Sequence, residues 1–284
     1  MAVTVPSMPE PGPGTTVYGS SAGDHRDDLL LRFAENLRTA EHTRVPLPKL
    51  TSGHGDLKLD EAYEVQAINI RRRMAEGARL VGHKVGLTSL AMQQQMGVSE
   101  PDSGVILDDM VIPDGGELSR TDLMQPRVET EIAFRLGQDV EGPDPEPESI
   151  RSAVSEVCIA MEIIDTRFEG WRIALVDSVA DNASSAKVVL GQAIAYTPEM
   201  DLSGEVLTLH ADGVTKASGE GRAVLGDPLN PVIWLATRLS ALGSSLRAGD
   251  LVLAGAVHAS VTLEAGLDLR ASSPNLPPTR LRVV

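Results

Sequence analysis

The stretch Arg127-Val128-Glu129-Thr130-Glu131-Ile132-Ala133-Phe134 decides the fold. β-Branched and aromatic residues are frequent in it, as expected of a strand, where successive side chains point to opposite faces. Glu129 and Glu131 then stand side by side on one face, while Val128, Thr130 and Ile132 occupy the other. Two neighbouring carboxylates repel unless a cation lies between them. Taken alone, such a pair is more often the solvated edge of a strand than a site.

A second strand changes the balance. In Ile159-Ala160-Met161-Glu162-Ile163-Ile164-Asp165-Thr166-Arg167 one glutamate sits among apolar residues. Burying an unpaired carboxylate is costly, so Glu162 must be protonated, paired with a base or bound to a metal. Arg167 or Arg172 could supply a plain ion pair. Combined with Glu129 and Glu131, however, the pattern favours a metal centre. Three carboxylates with no His or Cys donor nearby select a hard ion, Mg²⁺ or Mn²⁺, over zinc.

Outward from these strands, short apolar runs separated by Gly, Pro and Asp continue at Val105–Leu107, Lys187–Leu190, Val206–His210, Leu251–Val257 and Thr279–Val284. A helix is expected from Pro228 to Leu242, with Gly243 as its stop. Upstream, Leu29, Leu30, Phe33 and Leu37 predict a helix opened by Asp24 and closing near Arg38. A second helix is expected over Glu61–Glu76 with Asp60 as its cap. Helices first and strands afterwards indicate an α+β architecture. Residues 1–23, rich in Pro, Gly, Ser and Thr, read as a loosely attached tail, 24–78 as an N-terminal helical segment and 79–284 as the catalytic domain.

Composition narrows the function. A formal net charge of -15 gives a surface that repels phosphate backbones and anionic lipid, which argues against nucleic-acid and membrane roles. No apolar run approaches the roughly 18 to 20 residues of a membrane span. The single cysteine, Cys158, lies in an apolar run, and with no disulfide to form, a reducing cytoplasmic setting is expected. Gly82-His83-Lys84-Val85-Gly86-Leu87-Thr88 places a lysine in a small-residue segment. Lys84 is either a surface residue or the cation that draws an anionic substrate to an acidic site.

Several further stretches now join these in order. They are Gln93-Gln94-Gln95-Met96-Gly97-Val98, Pro101-Asp102-Ser103-Gly104, Asp177 to Ser185 and Gly226-Asp227-Pro228-Leu229-Asn230. The ensemble resembles the 2-hydroxypenta-2,4-dienoate (2-keto-4-pentenoate) hydratases and their sister 4-oxalocrotonate decarboxylases of the fumarylacetoacetate hydrolase superfamily. The resemblance implies a mixed β-roll with flanking helices, and Mg²⁺ or Mn²⁺ held by Glu129, Glu131 and Glu162. It further implies that Lys84 and Asp102 are catalytic, with an ion pair between them. His83, Leu87, Ser103, Asp165, Asp181 and Asn182 fall in the matched motifs and are expected to bind substrate. The implied reaction is hydration of 2-hydroxypenta-2,4-dienoate to 4-hydroxy-2-oxopentanoate in the breakdown of aromatic or steroid rings, with metal Lewis-acid assistance.

The nearest alternative is decarboxylation of 2-oxohex-3-enedioate, which needs a cation for the distal carboxylate; Arg167, Arg172 and His258 are candidates. A non-catalytic partner subunit of such an enzyme is a further alternative. A homo-oligomer, associating with a pathway aldolase or decarboxylase, is expected from the resemblance. The chain departs from the family pattern at Ala271-Ser272-Ser273-Pro274-Asn275-Leu276-Pro277-Pro278, where relatives carry a Gly-Leu-Gly-Ser type turn, and in its longer N-terminal tail.

Overall fold

The computed structural model describes residues 22–89, 93, 99–140, 142 and 145–284. Residues 1–21 of the expected tail and the segment 94–98 therefore lie outside the described residues, while the last two tail residues, Ala22 and Gly23, belong to the first helix. Two helices lead, α1 (Ala22–Thr43) and α2 (Leu59–Ala75). Both begin earlier than expected, so Asp24 and Asp60 lie inside the first turns rather than at the caps. Lys58 precedes α2, and its backbone N–H donates to the Glu61 carboxylate at 2.8 Å. Glu61 thereby satisfies one of the orphan donors at the helix start.

Strands follow: β1 (Leu80–Gly86), β2 (Asp102–Leu107), β3 (Val111–Ile112), β4 (Gly116–Leu118) and the long β5 (Arg127–Leu136). After the short helix α3 (Pro147–Ala153) comes β6 (Val154–Ile164), then the short helix α4 (Leu175–Ala180) and β7 (Ser185–Leu190). The chain continues through β8 (Ile194–Ala195), β9 (Val206–Ala211) and β10 (Val214–Glu220) to helix α5 (Leu229–Ala241). It ends with β11 (Leu251–Ala256), β12 (Val261–Thr262), β13 (Asp268–Ser272) and β14 (Thr279–Val283).

The strands form two curled sheets. The larger, nine-stranded sheet runs β2-β1-β11-β5-β6-β7-β3, with β12 beside β5 and β8 beside β6; the smaller runs β10-β9-β13-β14-β4. Strand β11 is inserted between β1 and β5, parallel to the first and antiparallel to the second. The sheets enclose an apolar core that includes Phe134, Ile159, Met161, Leu207 and Leu281 and is closed by α5. At the end of α5, Gly243 adopts φ 74° as a left-handed stop, and the Ser244 N–H returns to the Leu239 carbonyl at 2.8 Å.

The helical segment is joined to the sheet rather than appended to it. Leu30, Phe33 and Leu37 of α1 and Val65 of α2 pack with Phe168, Val179 and Ala180 into a second core. Gln66, buried in α2, donates from Nε2 to the carbonyls of Ser103 in β2 and Val179 in α4, both at 3.0 Å. The atypical segment before β14 is anchored differently. Buried Glu205 accepts hydrogen bonds from the Ser273 hydroxyl, the Asn275 N–H at 3.0 Å and the Asn275 amide at 2.8 Å. Among the described residues no helix is long and apolar enough to cross a membrane.

Replacing Gln66 by Leu keeps the volume but leaves the two buried carbonyls without their donor. The expected loss of stability is about 2 kcal/mol, read from the midpoint of urea unfolding at unchanged slope.

Candidate metal centre

The pairing of β5 with β6 sets Glu129 directly opposite Glu162, and Glu131 opposite Ala160. Residues opposed in an antiparallel pair share a face, so all three carboxylates project to the same side. Their oxygens lie within 4.8 Å of one another. Glu131 and Glu162 are almost completely buried, 1% and 0% exposed. Such a group of like charges is unstable without a counter-charge.

Two features of the chain answer part of that charge. Lys84 Nζ from β1 lies 3.3 Å from Glu162 Oε2, forming a buried ion pair. Gly255 donates its N–H to Glu131 Oε2 at 2.8 Å. It can do so because β11 bulges between Leu253 and Ala256 and Gly255 takes φ 109°. A Cβ there would meet the Thr88 hydroxyl oxygen at 2.2 Å. Only glycine fits both demands.

Neither oxygen of Glu162 has a hydrogen-bond partner among the described residues. An all-oxygen set with two unsatisfied buried oxygens and an excess of negative charge matches the donors of a hard divalent cation. Burial, and then the charge of Glu162, raise Glu129 to about 7, against the opposing pull of Lys84. Glu131 is pushed well above the ordinary range by burial and by Glu162 and Glu129. Burial acts to lower Lys84, but Glu162, Asp102, Glu129 and Glu131 together prevail and raise it, keeping it protonated.

Asp102 is brought to the same place by the antiparallel pair β1–β2, which aligns it with Gly86. A Cβ on Gly86 would fall 2.2 Å from Asp102 Oδ1 and 3.2 Å from Lys84 Nζ. The missing side chain is the space in which the two groups meet. The ion pair of Lys84 is with Glu162, however, and Asp102 stands beside it rather than in the salt bridge implied by the resemblance. Ser178 of α4 donates to Asp102 Oδ2 at 3.1 Å, while Oδ1 is buried with no hydrogen-bond partner among the described residues. Burial raises the Asp102 carboxyl, opposed by Lys84 and Ser178.

The expected substrate-binding residues divide. Ser103 neighbours Asp102, and its backbone N–H donates to the Tyr63 hydroxyl at 3.2 Å. Leu87 adopts φ 55° and its carbonyl accepts the Gln93 amide at 2.8 Å, which ties down the turn after β1. His83 lies on the face of β1 opposite Lys84; burial lowers it to about 4, so it is neutral. Three others have structural partners instead. Asp165 accepts the N–H groups of Met124 and Gln125 at 2.8 and 2.6 Å. Asp181 is locked to Arg167 in a buried ion pair and also accepts the Arg167 N–H at 3.0 Å. Asn182 bridges both backbone groups of Val105, at 2.8 and 2.9 Å. Short polar side chains satisfy backbone in irregular segments, and that demand has claimed all three.

Sequence reasoning passed over Ser178, Gly86, Gly255 and Ser184. The hydroxyl of Ser184 is buried with no hydrogen-bond partner among the described residues, and Asn182, Ala183 and Ser184 hold consecutive left-handed conformations (φ 54°, 50° and 57°). Such strain is held in place by its surroundings and concentrates near sites. No local pattern marks it, because it depends on contacts with β2 far away in sequence.

Comparison with known proteins agrees with this geometry. The family described as fumarylacetoacetate (FAA) hydrolase C-terminal matches residues 71–284. A curled α+β fold with a trio of converging glutamates, two of them buried, over that span, defines a member of the fumarylacetoacetate hydrolase superfamily. The chain is 42% identical over 233 residues to a 2-keto-4-pentenoate hydratase of Paraburkholderia xenovorans (strain LB400), covering 82% of this chain and 87% of that one. It is 36% identical to a 2-hydroxyhexa-2,4-dienoate hydratase of Comamonas testosteroni, covering 83% of this chain and 88% of the relative. A solved structure of 4-oxalocrotonate decarboxylase from Pseudomonas putida G7, complexed with magnesium and adipate, superposes with TM-score 0.87 at 32% identity. That superposition covers 91% of this chain and 98% of the decarboxylase. Within the superfamily, the chain belongs to the 2-keto-4-pentenoate hydratase and 4-oxalocrotonate decarboxylase family.

Two outcomes test the centre. Glu129→Gln and Glu162→Gln should each weaken Mg²⁺ affinity at least about 100-fold by calorimetry while the circular dichroism spectrum is unchanged. Because Glu129 is raised in the folded state to about 7, that state holds a proton the unfolded chain has released. Its contribution to stability is therefore lost as pH climbs from about 4.5 to about 7. In chelator, melting should shift downward across this window, and Glu129→Gln should flatten the slope.

Proposed function

We propose that the chain is a hydro-lyase that adds water to 2-hydroxypenta-2,4-dienoate, giving 4-hydroxy-2-oxopentanoate. The observation that carries the proposal is the convergence of Glu129, Glu131 and Glu162 on one point, with Lys84 paired to Glu162 and Asp102 alongside. The names of the hydratase relatives supply the substrate class. Mg²⁺ or Mn²⁺ is assigned as the ion from the all-oxygen donor set. The single, buried Cys158 is consistent with a cytoplasmic, reducing setting.

A bound divalent ion would act as a Lewis acid toward the 2-oxygen and carboxylate of the substrate. The protein's own groups do the rest. Lys84, held charged by its acidic neighbours, lowers the cost of bringing a carboxylate substrate beside three glutamates. Asp102, with one oxygen fixed by Ser178 and the other without a hydrogen bond among the described residues, is placed to hold or move a proton at Oδ1. The substrate loses its 2-hydroxyl proton and gains one at C5, and water then adds across the C3–C4 double bond, hydroxyl at C4 and proton at C3. Glu131 and Glu162 are buried out of bulk water, which strengthens the charge interactions there.

The decarboxylase reading has support of its own in the TM-score of 0.87 to 4-oxalocrotonate decarboxylase. Mass spectrometry separates the two. With Mg²⁺, purified chain and each dienoate in turn, the expected product of 2-hydroxypenta-2,4-dienoate is heavier by one water. Loss of carbon dioxide from 2-oxohex-3-enedioate, with no hydration of the shorter acid, would defeat the hydratase assignment.

A further inference from the structure

Strand β2, which carries Asp102 at its start, is the last strand on its side of the nine-stranded sheet. Among the described residues no strand lies on its outer side, so a row of its backbone groups needs other partners. Those groups belong to Ser103 and Val105, alternate residues just after Asp102. Side chains stand in for the missing strand. The Ser103 N–H donates to the Tyr63 hydroxyl at 3.2 Å, and its carbonyl accepts from Gln66 Nε2 at 3.0 Å. At Val105 one side chain meets both groups: Asn182 Oδ1 accepts the N–H at 2.8 Å, and Asn182 Nδ2 donates to the carbonyl at 2.9 Å.

Residues 178–182 therefore run beside residues 102–105 as a surrogate strand. Ser178 holds the Asp102 carboxylate, the Val179 carbonyl shares the Gln66 amide with the Ser103 carbonyl, and Asn182 holds Val105. Gly104 permits the approach, since a Cβ there would lie 2.5 Å from the Asn182 carbonyl oxygen. Tyr63 also belongs to the second core, so it serves packing as well. Asn182 is only half-buried, and its contribution is the two bonds to Val105.

The left-handed run of Asn182, Ala183 and Ser184 is what aims that amide. Asparagine tolerates the conformation, whereas alanine and serine adopt it at a cost. Both ends of the run are anchored. On one side Asp181 is locked to Arg167 and accepts the Thr166 hydroxyl at 3.1 Å. On the other, the Ser184 carbonyl accepts the Asp165 N–H at 2.8 Å. Backbone strain that the surroundings enforce, spent on holding the strand that carries Asp102, points to a demand for exact placement of that carboxyl.

We infer that Asn182 is a positioning residue for the proton-moving step: through Val105 it fixes β2 so that Asp102 Oδ1 stands beside Lys84, and it does not itself bind the substrate. The inference rests on the proposed function for the reaction that Asp102 serves. It reassigns Asn182 from the substrate-binding role that its motif suggests. A displaced β2 would leave the metal ligands and Lys84 in place, because they stand on β1, β5 and β6. Loss of the Asn182 amide should therefore slow the chemical step and spare binding.

The test reads steady-state turnover of 2-hydroxypenta-2,4-dienoate by the full chain with Mg²⁺. Asn182→Gly removes the amide and suits the left-handed backbone, so the fold is kept. It should lower kcat at least about 10-fold, with KM, calorimetric Mg²⁺ affinity and the circular dichroism spectrum unchanged. Asn182→Asp keeps the acceptor for the Val105 N–H without the amide donor, and should fall between Asn182→Gly and the unaltered chain. Because the effect passes through Asp102, adding Asn182→Gly to Asp102→Asn should cost less than about 2-fold more in kcat. Unchanged kcat in Asn182→Gly overturns the inference while leaving the proposed function standing. So does a raised KM at unchanged kcat, which would make Asn182 a substrate ligand, and so does full additivity with Asp102→Asn. No turnover by the unaltered chain sinks the proposed function and this inference together.

Discussion

The structure depends on the cost of three carboxylates held together out of water. Glu129 and Glu162 face each other across β5 and β6, and Glu131 lies one step deeper, with oxygens no more than 4.8 Å apart. Folding can bring them together only because opposite charge is supplied in the same place. Lys84 provides one unit, the Gly255 N–H a fraction, and a divalent ion fits the remainder. Many surrounding choices follow from this need: the bulge in β11, the glycine opposite Thr88, and the glycine whose absent side chain makes room for Asp102 and Lys84.

The helical segment serves the same centre indirectly. Through Tyr63 and Gln66, α2 holds the backbone of Ser103, and α4 holds Asp102 through Ser178. Asp102 is thereby fixed by elements from three parts of the chain. The second hydrophobic core, shared by α1, α2 and α4, is what makes that support rigid. A site of buried charges needs such backing, because small displacements change its electrostatics steeply.

Much of the fold was legible because period-two alternation survives at the start of β5, and because one acidic residue in the apolar Ile159–Ile164 run has few explanations. The three glutamates could be read as a set for the same reason. Other features were hidden. Strand β1 reads as a small-residue segment, since Gly82 and Gly86 are there for close approach and not for strand propensity. A Cβ at Gly82 would lie 2.0 Å from the Leu251 carbonyl oxygen. Asp165, Asp181 and Asn182 stand in motifs that suggest a binding role, yet their partners are backbone groups and Arg167. The departure before β14 is explained by Glu205, which gives Ser273 and Asn275 a buried acceptor.

The insertion of β11 between β1 and β5 has a bearing on how the molecule comes into being. Every residue assigned to the metal or to catalysis has left the ribosome by Glu162, but the strand that sets their spacing ends only at Ala256. Until that late stretch emerges, β1 has no neighbour on the side facing β5, and the acidic row lacks both its lysine and its backbone donor. Assembly of this centre is therefore delayed to the last part of synthesis, since pairings between distant segments pay their loop-closure entropy before any contact rewards it. A nascent chain stalled earlier would expose an acidic strand and an unpaired edge, the kind of surface that chaperones shield.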